Sequence, residues 1–278
     1  MKNRITPILI IITTLFFIGC DKIDTPLADP SSGNGGDDTT IARRILMEEF
    51  TGHYCTNCPQ GADEMARLVG VYGKQIIPIS LHAGDQTFNE PHPGSGKYET
   101  DFRTPAGNAY AIQFQPFGLP SGMVSRESTG TAIPFSQWEA KIITLKDLAP
   151  IAEITINTTY NSGTREVSID IETEWLLDGG STDYKLQVYI IEDHIIDWQL
   201  NGSTDVANYE HRHVFRGAIN TTWGEAITTA TTQGSKDNKS YTKILNAGWN
   251  EDNCEIVAFI YKQGPDYEVM QANIEHVK

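Results

Sequence analysis

Cysteine is scarce in this chain, with four among 278 residues. Cys55 and Cys58 stand two residues apart, Cys20 closes the first apolar run, and Cys254 is alone near the far end. A disulfide-dense miniature scaffold is therefore excluded. A structural zinc site needs four ligands, usually from two such pairs, and there is no second CxxC. Positive charge is also short: 21 Lys and Arg face 36 Asp and Glu, a formal charge of -15. Such a surface repels a phosphate backbone, so no nucleic-acid partner is expected. After residue 19 no apolar run approaches the ~20 residues that a membrane-spanning helix needs. Gly94-Ser95-Gly96-Lys97 lacks the remainder of a phosphate-binding loop, since Pro91 stands where the first glycine belongs and Tyr98 replaces the Ser or Thr. No repeat of solenoid or propeller period is present. No metal and no cofactor are expected.

What is present begins with an export signal. Lys2 and Arg4 precede an apolar run from Ile5 to Ile18 that ends at Gly19-Cys20. At about fourteen residues the run is short for a span and reads as a cleaved segment, residues 1–19. A small residue before a cysteine at the end of such a run resembles the lipobox of bacterial lipoproteins, although Phe17 departs from its usual aliphatic. The resemblance implies a diacylated Cys20. Residues 20–40, with Pro26, Pro30 and Ser31-Ser32-Gly33-Asn34-Gly35-Gly36, carry no periodic apolar pattern and read as a lipidated flexible tether.

Two textures follow. From residue 41 to 150 strand and helix signals alternate: IARRILMEEF from Ile41 reads as a strand, PQGADEMARLVG from Pro59 as an amphipathic helix, and QIIPISL from Gln75 as a second strand. Residues 82–97 read as an inserted loop, Thr104–Ile112 as a helix, Gly122–Ser125 as a strand, and PFSQWEAKIITLKDL from Pro134 as a helix opening on proline. From residue 151 to 278 the pattern becomes short β-branched runs separated by Asn, Gly, Asp and Ser turns. These predict a separate all-β antiparallel sandwich of immunoglobulin-like type, with the boundary near Pro150. Its aromatics, among them Tyr189, Phe215, Phe259 and Tyr261, are expected to fill the sandwich core.

The chemical signature is Cys55-Thr56-Asn57-Cys58, placed after a strand and at the start of a helix. The helix macrodipole and its free first-turn amides favour a thiolate on the first cysteine, while the second lies a turn deeper. Cys55 is thus expected to attack and Cys58 to resolve. In an oxidising compartment the two are expected to close a disulfide. The segment ILMEEFTGHYCTNCPQGADEM resembles the active-site strand and helix of thioredoxin-like proteins, with Tyr54 at the family's usual Trp. That resemblance implies an α/β thioredoxin-like domain over residues 41–150, a proton-relaying acid at Glu49, and a cis proline facing the disulfide, for which Pro120 in FGLPSGMV is the candidate. Glu49 reads equally well as a solvated strand residue beside Glu48, because neighbouring carboxylates are not expected to point inward together. His53 reads either as a modulator of Cys55 or as an exposed loop residue. His211 and His213 fall on one side of a strand and read as packing residues rather than, with His194, a metal site.

The chain as a whole resembles the surface lipoproteins related to outer membrane protein twenty-eight, which join a thioredoxin-like half to a β-rich half; YEHRHVFRGAI from Tyr209 shares in the likeness. The expected function is a thiol:disulfide oxidoreductase of the cell envelope, held at the outer membrane by its lipid, with envelope client proteins or a redox partner protein as partners. The alternative is a non-enzymatic surface lipoprotein whose sandwich binds a protein or glycan while Cys55–Cys58 is a structural staple. Mass spectrometry of the mature N-terminus tests the anchor: a diacyl-modified Cys20 is expected, and Cys20→Ala is expected to abolish the modification.

Overall fold

The computed structural model describes residues 41–278, apart from 128–130 and 266. The expected signal, tether and lipidated Cys20 lie outside the described residues. Within them the elements run β1 (Ile45–Thr51), α1 (Cys58–Tyr72), β2 (Ile76–His82), α2 (Gln86–Asn89), α3 (Pro105–Phe114), β3 (Ser121–Val124), β4 (Ile133–Pro134) and α4 (Trp138–Leu145). Strands alone follow, save one 3-10 turn: β5 (Ala152–Asn161), β6 (Glu166–Trp175), β7 (Tyr184–Glu192), β8 (Ile195–Asn201), β9 (Thr204–His211), β10 (Val214–Ala218), β11 (Glu225–Ala226), β12 (Lys236–Ile244), β13 (Cys254–Lys262) and β14 (Val269–His276).

The fold is mostly β, with a mixed sheet and a few helices. The sheet runs β14-β13-β7-β10-β2-β1-β3-β4, with β11 paired to β7. β1 and β2 are parallel in seven-residue register, from Ile45 opposite Ile76 to Thr51 opposite His82. β2 then meets β10 in parallel at Ser80 and Val214. That join corrects the boundary expected near Pro150. Helix stops there, yet residues 41–278 are one compact unit, because the first half's sheet continues into the strands of the second. Two antiparallel pieces lie off the sheet: β12-β6-β5, and the hairpin β8-β9.

Alternation along the strands divides the interior. Leu46, Phe50, Ile77, Ile79 and Leu81 point to the face covered by α3, where Tyr110 and Phe114 pack. Tyr189, Phe215, Phe259 and Tyr261 join that same cluster. They were expected inside a sandwich; instead they bind the second half of the chain to the first. On the opposite face Ile45 and Met47 meet Met65 and Leu68 of α1 and Trp138 and Ile142 of α4. Farther along that face, Val188, Ile190, Ile256 and Ile260 pack against Ile154, Val167, Ile169 and Trp175 of the three-stranded sheet.

Covering both faces has a second result. β1 (ILMEEFT) is buried at all seven positions, as strands sandwiched on both sides are. Glu48 and Glu49 are each 1% exposed, so the expectation that only one could turn inward is wrong: they enter different layers. On the α3 side Glu48 takes a bidentate bond from Arg126, Nε to Oε2 at 2.7 Å and Nη2 to Oε1 at 2.6 Å. Arg126 Nη2 also donates to Tyr189 Oη at 2.9 Å. The guanidinium lies 4.8 Å from the Phe114 ring centre and 5.1 Å from that of Phe259, within cation–π range.

The edge of the fold joins its first and last described segments. Arg44 N donates to Gln271 Oε1 at 2.8 Å, Gln271 Nε2 to Ala42 O at 3.2 Å, and Arg43 Nη2 to Val269 O at 3.0 Å.

Removing one member of a buried charge pair strands the other, at a cost of about 3–5 kcal/mol. Arg126→Met is expected to lose stability on that scale in urea unfolding, and Arg126→Met with Glu48→Leu to recover much of it.

Candidate functional site

The strand-to-helix junction is built so that both cysteines meet at the start of α1. Cys55 N donates to Gly52 O at 3.2 Å and Cys58 N to Cys55 O at 3.4 Å, winding the loop into the first turn. Asn57 is the N-cap residue but places no side-chain bond on the helix end, and a proline follows Cys58. Gln60 N bonds Asn57 O at 3.0 Å and Pro59 has no N–H to give, so what the helix end offers a thiolate is its macrodipole. Cys55 and Cys58 form a disulfide with Cα atoms 5.4 Å apart.

Around it the structure brings together the residues singled out from sequence. The Leu119–Pro120 peptide is cis, and Leu119 O lies 3.8 Å from Cys55 Sγ. Gly61, one turn into α1, marks where Glu49 and Pro120 converge: a Cβ there would overlap Glu49 Oε1 and come within 2.7 Å of Pro120 Cβ. Glu49 Oε1 is buried and has no hydrogen-bond partner. Burial pushes its carboxyl up to about 8, because an ion in that position would be neither hydrated nor paired. Glu49 is therefore not a solvated strand residue.

His53 is not an exposed loop residue. It is buried, with Nε2 3.3 Å from Glu90 O and its ring against Tyr98 and Phe102, and burial lowers its pKa. His211 packs between Phe102 and His82, and burial holds it near 4. His194 stands apart on the surface, bonded to Glu210. Among the described residues no group of three or more His, Cys, Asp and Glu is arranged to hold a metal ion. Cys254 is free and buried, its thiol pushed up to about 12 by burial.

Sequence reasoning missed what lies over the disulfide. The hairpin β8-β9 reaches across from the second half and bonds to the cysteine loop itself. Leu200 N donates to His53 O and Gly202 N to Thr56 O, both at 2.9 Å, and Gln199 Nε2 lies 3.2 Å from Gly52 O and Cys55 O. Asp205 fastens it to the neighbouring loop through Lys97 Nζ at 2.6 Å and Tyr98 Oη at 2.5 Å. Both cysteines are in consequence only 2% exposed. A signal was there: Gly202-Ser203, the two residues between the paired Asn201 and Thr204, is a dipeptide typical of two-residue hairpin turns.

On the other side of α1's first turns lies a cavity of about 360 Å³, lined by Cys58, Glu49, Met65, His82, Tyr209 and His213 among others. Gln199 of the covering hairpin also lines this cavity, and of the two cysteines Cys58 alone opens onto it.

The family of Outer membrane protein Omp28 matches residues 107–278, well over half of the sequence. This chain belongs to the Omp28 family. Membership places it broadly in the cell envelope. The matched span begins within α3, beyond the cysteines, so the family assignment rests on the β-rich part of the fold. No curated protein matches the chain. Among solved structures, HBP35 of Porphyromonas gingivalis is similar in fold, at TM-score 0.68 and 15% identity, with 85% of this chain and 76% of that one covered. A protein of Agrobacterium tumefaciens follows at TM-score 0.52 and 12% identity, covering 86% and 96%. A domain of the outer membrane lipoprotein Omp28 from Porphyromonas gingivalis is 21% identical over 46% of this chain and 96% of that one, at TM-score 0.33.

The raised Glu49 pKa fixes the sign of a pH effect. Between about 4.5 and 8 the folded protein keeps a proton that the unfolded chain releases. The stability contributed by that proton is complete below the lower value and lost as pH rises through the upper one. Glu49→Gln is expected to flatten the decline, exceeding the parent by on the order of a few kcal/mol near pH 9 and matching it near pH 4, as read by urea unfolding.

Proposed function

We propose that this chain is an envelope thiol:disulfide oxidoreductase, with a thioredoxin-like N-terminal half built around Cys55, Cys58, Glu49 and Pro120 and an immunoglobulin-like β half. The observation that carries the reading is Glu49, a buried carboxyl whose Oε1 has no hydrogen-bond partner and which lines the same cavity as Cys58. A disulfide serving only as a staple has no use for such a group, which costs stability whenever it is charged. A group titrating near neutrality, within reach of the resolving cysteine, is what proton transfer requires.

In this reading the Cys55 thiolate attacks a client disulfide, forming a mixed disulfide and releasing one client thiolate. Cys58 then attacks Cys55 Sγ, the second client sulfur leaves as thiolate, and the Cys58 proton passes to Glu49. An extended client segment docks beside the cis Leu119–Pro120 peptide, near the 98% exposed Phe117. The lipid on Cys20 holds the protein at the outer membrane, and its partners are envelope proteins or a redox partner protein.

The 2% exposure of both cysteines beneath β8-β9 favours a second reading, in which the disulfide is a staple and the β half of a surface lipoprotein binds a protein or glycan. The two separate experimentally. The purified protein is expected to exchange disulfides with a model substrate, Cys55→Ser to lose exchange entirely, and Cys58→Ser to accumulate client adducts on Cys55 in a non-reducing gel. Absence of exchange by the parent protein sinks the enzyme reading.

A further inference from the structure

Disulfide chemistry moves protons as well as electrons, and the covered face of this disulfide offers them no path. Three buried polar atoms in the structure lack a hydrogen-bond partner and belong to residues that line one cavity: Glu49 Oε1, His82 Nδ1 and His213 Nδ1. Cys58 lines the same space and Cys55 does not. Strand register explains the grouping. Glu49 pairs with Ser80, and Thr51 with His82, so His82 stands diagonally from Glu49 on the α1 face, two residue pairs along.

We propose that this cavity is the proton port of the redox pair and that His82 is the residue that positions the proton on its way to Glu49. The proposal rests on the oxidoreductase reading and adds to it the route. A cavity of this size admits a file of waters, each needing two to four polar partners; Glu49 Oε1 and His82 Nδ1 are unbonded acceptor or donor atoms on its wall, and neighbouring waters supply the rest.

Consider reduction by a small thiol. Its thiolate bonds to Cys55 Sγ, the Cys55–Cys58 bond breaks, and the electron pair departs on Cys58. The Cys58 thiolate takes the Glu49 proton, and the Glu49 carboxylate is refilled through the cavity. Every titratable group facing that route has a place in it. Burial keeps His82 and His213 below their ordinary values, and His211 near 4, so the inner wall is uncharged at neutral pH and does not hold Glu49 as an anion. Tyr209 is pushed up to about 12, by burial first and then by Glu49, and remains a neutral hydroxyl. Charged side chains face the route from Asp63 on α1, from Glu210 and from Arg212, whose guanidinium lies 3.2 Å from Asp193; Asp193 Oδ2 also stands 3.8 Å from His213 Nδ1, Arg216 acts on His82 and His211, and Asp197 on His211.

The test uses the full chain, with two readouts. The first is the rate of reduction of the disulfide by dithiothreitol as a function of pH. His82→Phe is expected to slow it about tenfold near pH 7 and to add nothing in a Glu49→Gln background, where no proton is delivered. The second is the hydrogen–deuterium exchange of the Glu49 carboxyl, followed by its infrared band, which Glu49→Gln identifies. Both His82→Phe and Ala66→Trp, an exposed substitution at a cavity-lining position of α1, are expected to slow it. Equal slowing by His82→Phe with and without Glu49 overturns the proposal, as does unaltered carboxyl exchange in both variants. If the parent disulfide resists dithiothreitol, the oxidoreductase reading fails, while carboxyl exchange still decides whether the port exists.

Discussion

The bond between Arg126 and Glu48 is the constraint on which the arrangement turns. It places a charged pair in the layer between the sheet and α3, among rings contributed by both halves of the chain. A low-dielectric interior tolerates such a pair only when its hydrogen bonds are satisfied, and Tyr189 completes the set. Because successive strand residues face opposite ways, holding Glu48 on the α3 side commits Glu49 to the α1 side, beneath the cysteines. A slip of one residue in β1 would exchange the two carboxylates, leaving the guanidinium unpaired and the disulfide without its acid. Fold stability and site chemistry are therefore fixed by one register.

Much of the first half was legible. The dithiol between an apolar strand and an amphipathic helix is local information, and the structure places α1 at Cys58–Tyr72 and β2 at Ile76–His82 close to the segments read from periodicity. The Phe117–Val124 turn, with its proline, was legible for the same reason. Glu48 and Glu49 were not separable, because a strand buried on both faces shows no alternation from which to assign sides. The continuity of the sheet was equally hidden: β2 and β10 meet at a single pair, more than a hundred positions apart, and nothing local encodes that partnership. The hairpin at Ile195–His211 escaped because many of its residues face outward and its apolar periodicity is weak.

Cover and cavity together give the site two different sides. The hairpin's hydrogen bonds engage the backbone carbonyls of the cysteine loop, the kind of contact an extended segment makes when it lies beside a loop. In the proposed oxidoreductase function, a client would compete with this segment of the same chain. The cavity that Cys58 lines is walled in part by the same hairpin, through Gln199, Tyr209 and His211.

The interlocking of Ala42, Arg43 and Arg44 with Val269 and Gln271 bears on force. A load entering the folded body through residue 41 reaches these bonds before any strand of the site. They join the two ends of the described chain directly, so tension is shared with β14 and shunted along the sheet edge. β1 begins at Ile45, one residue after the clasp, and leads at its far end into the cysteine loop, so the strand that positions the site is pinned to β14 where it starts.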